Sequence, residues 1–201
     1  MKETSRATRR DRILDVAVAT LAEYGYRGTT MLEVARRASA SKETLYAWFG
    51  SKPGLFQAVI RRNADTVRSA VEAHLDGDAP VDEALAEFGR ALAGLLLGES
   101  AVAINRAAIS EARTSPELAR ILAGSGREAT LPVFVRYLEG RRSAGALAFD
   151  DAEQAAEAFI GLLIGDAQVR RLLGVMAPPD GVALESRARR ATRVFLLIYG
   201  A

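Results

Sequence analysis

The sequence predicts an all-α protein of about nine or ten helices. Apolar residues recur at helical spacing along nearly the whole chain. No run alternates apolar and polar residues as a half-buried strand would. Capping residues and glycines break the stripes at intervals that suit helices.

The first stripe is Ile13, Leu14, Ala17, Val18 and Leu21, with Arg9, Arg10, Arg12, Asp15 and Glu23 on much of the other side. Gly25 and Gly28 close this helix, and Tyr24 and Tyr26 are its packing aromatics. Thr30 followed by Glu33 reads as a capping box that opens a short second helix, with Val34, Ala35 and Ala38 inward. After the polar break Ser39-Ala40-Ser41, Ser41 is a good N-cap for a third helix through Phe49, and Gly50 ends it. Ser51 caps a fourth helix, with Pro53 in its first turn where the missing N–H costs nothing; it runs towards His74. Gly77-Asp78-Ala79-Pro80 is the first clear linker. Amphipathic runs follow at 81–97, 100–113, 116–123, 127–142, 151–174 and 181–199, and Asp150-Asp151 reads as a helix start. Two domains are expected, 9–69 and 76–201.

Composition narrows the function. With 201 residues, 49% hydrophobic and 26% charged, the chain is globular rather than disordered. It has no cysteine, which excludes thiolate zinc, iron–sulfur and cysteine-nucleophile chemistry. A single histidine, His74, excludes a metal site with two histidines and disfavours a Ser-His-Asp triad. No catalytic residue, cofactor or metal is expected, so an all-α enzyme is a remote alternative. No apolar run reaches the roughly 18–20 residues of a membrane span, and the charged N-terminus carries no secretion signal. A cytoplasmic protein without membrane contact is expected. The net charge is only +2, but residues 1–75 hold 13 basic and 8 acidic side chains and the remainder 14 and 17. A basic first third points to a polyanion partner near the N-terminus.

Residues 30–52 have the spacing of a helix-turn-helix: a short capped helix, a brief turn, and a second capped helix. Such a second helix enters the major groove, so it needs inward anchors and a polar outer face. In Ser41–Phe49, Leu45 and Phe49 are four apart and anchor inward. Lys42, Thr44, Tyr46, Ala47 and Trp48 are the candidates for the groove.

These residues resemble a known family. Gly25-Tyr-Arg-Gly-Thr-Thr30, Val34-Ala-Arg-Arg-Ala38 and Ser41-Lys-Glu-Thr-Leu-Tyr-Ala-Trp-Phe-Gly-Ser-Lys52, followed by Leu55-Phe56, are similar to the N-terminal domain of TetR/AcrR-type bacterial transcriptional regulators. The resemblance implies an Ω-shaped all-α homodimer that binds double-stranded operator DNA through its N-terminal domain. Its C-terminal domain would bind a small-molecule effector and dimerise. By the same resemblance, Thr30 and Lys52 hold phosphates, and Tyr46 places its hydroxyl on the DNA backbone. Ser41 either caps its helix or touches phosphate. Lys42, Thr44, Ala47 and Trp48 face base edges or thymine methyls, with partial burial as the alternative for Trp48. Arg6, Arg9 and Arg10 form either an arm near the minor groove or a solvated charge run. The chain departs from relatives at Ser39-Ala40, where Gly-Val is common, at Glu43, where Gly is common, and at Trp48, where His or Tyr is common.

Glu111–Ala119, Gly145-Ala-Leu147, Asp150-Asp151 and Phe159-Ile-Gly161 are similar to the AefR-like C-terminal branch of that family. In such bundles effectors lie between helices in a largely apolar cavity with a few polar groups. Phe88, Leu92, Asn105, Ile109, Phe134, Tyr137, Leu138, Phe159, Leu163 and Asp166 are the candidate lining, with plain core or surface as the alternative for each. The last two helices carry Ala155, Phe159, Leu162, Leu163 and Leu173, then Val194, Phe195, Leu197, Ile198 and Tyr199. They are expected to form a four-helix bundle with a second subunit, internal core being the alternative. The expected function is a repressor released from its operator by an effector; an activator or an effector-independent regulator is the alternative.

Overall fold

The computed structural model describes residues 2–75, 79–114, 116–124 and 128–201, with side chains from Arg6 onward except at 67, 70–75 and 128–130. The His74 side chain, residues 77–78 of the linker and residues 125–126 of the glycine break lie outside these. Eleven helices run through the described residues: α1 (Lys2–Gly28), α2 (Met31–Arg37), α3 (Lys42–Phe49), α4 (Lys52–Leu75), α5 (Val81–Leu97), α6 (Glu99–Glu111), α7 (Glu117–Leu122), α8 (Glu128–Ser143), α9 (Ala152–Ile164), α10 (Ala167–Leu172) and α11 (Gly181–Tyr199). Among the described residues no strand forms. A single antiparallel bridge, Leu147 to Gly200, ties down the C-terminus, with the Ala148 N–H donating to the Tyr199 carbonyl at 2.8 Å.

The all-α expectation holds, with one more helix than the largest count expected. The run 151–174 divides because Gly165 adopts a positive φ of 51° and closes α9, its N–H returning to the Gly161 carbonyl at 2.9 Å. The start of α9 is as expected: the Asp151 carboxylate accepts from the N–H groups of Glu153 and Gln154 at 2.8 and 3.1 Å. Helix α1 reaches back to Lys2 and bends at Gly25, whose φ of 68° and ψ of 177° are non-helical.

The chain forms two compact units. The first comprises residues 1–62 and 103–126, the second residues 63–102 and 127–201. In the first, α1 contributes Ile13, Leu14, Ala17 and Leu21, α2 contributes Met31, Val34 and Ala35, and α3 contributes Leu45 and Phe49. Leu55, Phe56, Val59 and Ile60 of α4 close over them, with Ile104, Ala107 and Ala108 of α6 and Leu118 of α7.

The second unit is built on aromatic rings. Phe88 of α5 stacks on Phe134 of α8 with centroids 4.4 Å apart, and Phe159 of α9 lies 5.4 Å from Phe134 and 5.4 Å edge-on from Phe195 of α11. Close approach is possible because Gly89 lacks a side chain: a Cβ there would stand 3.3 Å from the Phe159 ring and 3.4 Å from Ala188. Arg171 of α10 is buried yet fully engaged, donating to the carbonyls of Leu97 and Met176 at 2.9 and 2.8 Å and to Glu99 at 2.9 Å.

Phe159 touches rings from three other helices, so no neighbour alone can fill its place. Phe159→Ala is expected to lower stability by about 3–5 kcal/mol. Thermal or denaturant unfolding followed by circular dichroism measures this; a loss under 1 kcal/mol would contradict the packing.

Candidate nucleic-acid interface

The geometry of α2 and α3 follows from local chemistry. Thr30 sits in extended conformation (φ −116°, ψ 153°), and its hydroxyl accepts from the Glu33 N–H at 3.1 Å. This is half of the expected capping box. The Glu33 carboxylate turns to Arg36 at 2.7 and 3.0 Å, and that hydrogen bond holds it below the usual carboxylate range.

The turn after α2 closes by two hydrogen bonds: Ser39 N–H to the Arg36 carbonyl at 3.3 Å and Ala40 N–H to the Ala35 carbonyl at 2.9 Å. Both orphan carbonyls are met only if the residue between adopts the left-handed conformation, and Ser39 does, with a φ of 52°. Most helices ending this way use glycine.

Ser41 then caps α3, its hydroxyl accepting from the Thr44 N–H at 3.1 Å and lying 2.9 Å from the Thr44 hydroxyl. Gly50 closes α3 at a φ of 73°, its N–H on the Tyr46 carbonyl at 2.9 Å. Leu45 and Phe49 are buried. Lys42, Glu43, Tyr46 and Ala47 are exposed, and Thr44 and Trp48 are half-buried. The Lys42 ammonium rests 5.7 Å from the Tyr46 ring centre. The structure therefore brings Ser41, Lys42, Thr44, Tyr46, Ala47 and Trp48 together on one eight-residue helix, with Thr30 exposed at the start of the preceding one.

Lys52 is more constrained than its sequence position suggests. Its ammonium donates to the Tyr26 carbonyl at 2.8 Å and lies 4.2 Å from the Tyr26 ring centre. Burial pulls its pKa below the usual lysine value, against the opposing pull of Glu111 and Glu117. Glu111 itself accepts from Arg27 at 2.9 Å, with Thr114 beside it. No short-range pattern announces these partners, which lie 26 and 84 residues apart in sequence. Residues 6–10 are helical, as part of α1, so the arm or solvated charge run expected of Arg6, Arg9 and Arg10 is a basic helical end.

The ten effector candidates do not all converge. Phe88, Leu92, Phe134, Leu138, Phe159 and Leu163 share the core of the second unit, packed against one another. Tyr137 stacks on Phe134 at 6.4 Å, with the Arg141 guanidinium 5.2 Å over its ring; burial raises its pKa and Arg141 opposes the rise. Asn105 and Ile109 belong to the first unit. Ile109 is 64% exposed, because the buried side of α6 is Ile104, Ala107, Ala108 and Glu111 and position 109 falls opposite. Asp166 is exposed at the start of α10. Of the residues expected at a subunit interface, Ala155, Phe159, Leu163 and Phe195 are internal core, whereas Leu173, Leu197 and Ile198 are 71, 82 and 59% exposed.

Residues 13–59 match the family described as bacterial regulatory proteins, tetR family, and residues 83–201 match the AefR-like transcriptional repressor C-terminal domain. The chain is 36% identical over 85 residues to the HTH-type transcriptional repressor ComR of Escherichia coli K12, covering 42% of this chain and 40% of ComR. It thus spans about two fifths of that relative's length. The crystal structure of a TetR transcriptional regulator from Agrobacterium tumefaciens is similar at a TM-score of 0.75 and 34% identity, covering 96% of this chain and 95% of that one. The Flavonoid-responsive Regulator FrrA is similar at a TM-score of 0.68 and 29% identity, covering 96% and 98%.

The left-handed Ser39 yields a stability test. Glycine there relieves about 1 kcal/mol of backbone strain, partly offset by its greater freedom in the unfolded chain. Ser39→Gly is expected to raise the melting midpoint by about 1–3 °C. A drop in differential scanning calorimetry would show that the serine is not strained.

Proposed function

The chain belongs to the TetR family of bacterial transcriptional regulators, and from that premise we propose that it is a cytoplasmic, homodimeric repressor released from operator DNA by a small-molecule effector. One observation carries the DNA reading: α3 is capped at both ends and held by Leu45 and Phe49, so that Lys42, Tyr46 and Ala47 stand outward. Lys42, Thr44, Ala47 and Trp48 face base edges in the major groove. Thr30, the Tyr46 hydroxyl and Lys52 meet phosphates, and Ser41 serves as the cap of α3. One Lys52 proton is held by the Tyr26 carbonyl, which aims the ammonium and leaves two protons for an anion.

Residues 9–69 are assigned to DNA binding and residues 76–201 to effector binding and dimerisation. The names of ComR as a repressor and of the matched C-terminal family favour repression, and FrrA's name favours response to an effector. The effector opens the ring cluster of Phe88, Leu92, Phe134, Leu138, Phe159 and Leu163 and meets the buried Tyr137 hydroxyl. A flat, largely apolar molecule with a polar atom fits that lining. Leu173, Leu197 and Ile198 form the seam between subunits. Two recognition helices about 34–36 Å apart read successive major grooves, and an effector that favours another spacing shifts the dimer off DNA. Helix α4 is the lever. No single helix among the described residues is long and apolar enough to cross a membrane.

Selection of duplexes from a random-sequence pool tests the reading; recovery of a two-fold related motif with salt-sensitive binding is expected, and no enrichment would overturn it. Lys52→Ala should weaken binding to every duplex by roughly tenfold, while Thr44→Ala changes which bases are preferred. Loss of base preference in Lys52→Ala alone would reverse these roles. Leu197→Glu should turn the dimer into a monomer in sedimentation velocity and abolish tight operator binding; an unchanged dimer would remove α11 from the seam.

A further inference from the structure

The inward stripe of α1 does not stop at its last apolar residue. Leu21, Ala17, Leu14 and Ile13 lie on one face, and the same spacing carried towards the N-terminus reaches Arg10 and then Arg6. The packing side of the helix therefore becomes basic where it runs past the core. There it meets the C-terminal end of α3. The Arg6 guanidinium lies 5.7 Å over the Trp48 ring and that of Arg10 lies 5.6 Å over the Phe49 ring. Both distances fall within cation–π range, and both arginines are otherwise exposed.

Their charge is not neutralised. Among the described residues, Arg6, Arg9, Arg10 and Arg12 meet no carboxylate. Elsewhere in the same unit, Arg27 pairs with Glu111, Arg36 with Glu33, Arg37 with Glu23 and Arg62 with Asp15. A guanidinium seated on an aromatic face keeps its in-plane N–H fork available, and that fork matches a phosphate. The stacking also restricts two long side chains before any anion arrives, which lowers the ordering cost of binding.

We propose that Arg6 and Arg10 are phosphate-holding residues that clamp the DNA backbone beside the C-terminal end of α3, and that Arg6 additionally positions Trp48. The proposal rests on α3 being the reading helix. It adds a sequence-independent grip outside the helix-turn-helix, supplied by the first turns of α1. Because the grip shares its rings with α3, it also fixes the angle at which α3 lies to the duplex.

The test uses the full-length protein and fluorescence anisotropy between about 50 and 200 mM KCl, with a duplex selected by the wild type from a random pool and with its scrambled counterpart. Each lost phosphate contact removes about 0.9 from the slope of log affinity against log salt. Arg6→Gln with Arg10→Gln should remove about 1.8, so the wild type loses about tenfold more affinity than the variant across that fourfold range. The loss should fall alike on both duplexes, and Arg6→Lys with Arg10→Lys should restore most of the slope. Each single glutamine variant should show about half the effect, so the result does not hang on the double variant folding. Trp48 is the only tryptophan, and its emission should shift in Arg6→Gln without DNA. An unchanged slope, or a loss confined to the selected duplex, overturns the clamp while leaving α3 as the reader. A wild type that binds no duplex overturns both.

Discussion

The proposed reading helix hangs on two side chains. Helix α3 has eight residues, fewer than the roughly 12–15 at which an isolated helix becomes even marginally stable. It exists because Leu45 and Phe49, one turn apart, are drawn into a core supplied by α1, α2 and α4. With those two fixed, the azimuth of every other side chain on the helix is fixed as well. The caps at Ser41 and Gly50 then define where the helix begins and ends, so that it has no freedom to lengthen or slide. The left-handed Ser39 sets the angle at which α3 leaves α2, at a cost in strain that a core-facing pair of anchors can outweigh.

Charge is organised by the same scaffold. Hydrogen bonds from Tyr24 and then Arg37 lower the pKa of Glu23, and Arg36 does the same for Glu33. Such exposed pairs add little stability. Their consequence is electrostatic: Glu23, Glu33 and Asp15 are matched by arginines of the first unit, whereas Glu43 and Lys42 on α3 and the arginines at the start of α1 form no ion pair among the described residues. Pairing removes cations and anions together, so the basic excess of the first 75 residues is unchanged in size but is carried by the unmatched cations.

What the sequence makes legible is whatever depends on neighbours within about one helical turn. Ser41, Thr30 and Asp151 act as caps because a short side chain finds an N–H two or three residues away. Leu45 and Phe49 point inward because their spacing demands it. The second half of the capping box failed for a reason of the same range: Glu33 had Arg36 three residues on, a better partner than a backbone N–H. The surroundings that sequence reasoning does not show depend on distant chain. Lys52 reads as a phosphate contact, and its hold on the Tyr26 carbonyl and ring comes only with the fold; Arg6 reads as an arm or a solvated charge run until α3 lies beneath it. Ile109 reads as lining because it is apolar, but the phase of α6 is set by Ile104 and Glu111. The break at Gly165 carried a usable signal, a glycine before Asp166 in an otherwise apolar run, and the continuous stripe on both sides hid it.

The two units are built for different demands. A reading surface must hold its side chains in one arrangement, and in the first unit buried aliphatic and aromatic anchors, caps and ion pairs hold α3 in place. A core that is to admit an effector must have a second arrangement of similar energy. In the proposed reading that core is the ring cluster of the second unit, where Phe88, Phe134 and Phe159 touch through faces and edges. Tyr137 adds direction to the exchange. Its hydroxyl is buried, and the Arg141 guanidinium lies over its ring at 5.2 Å. In the proposed reading, a guest that hydrogen-bonds that hydroxyl gains the contact in the opened state alone. Such a difference between states is what an effector needs to shift a population.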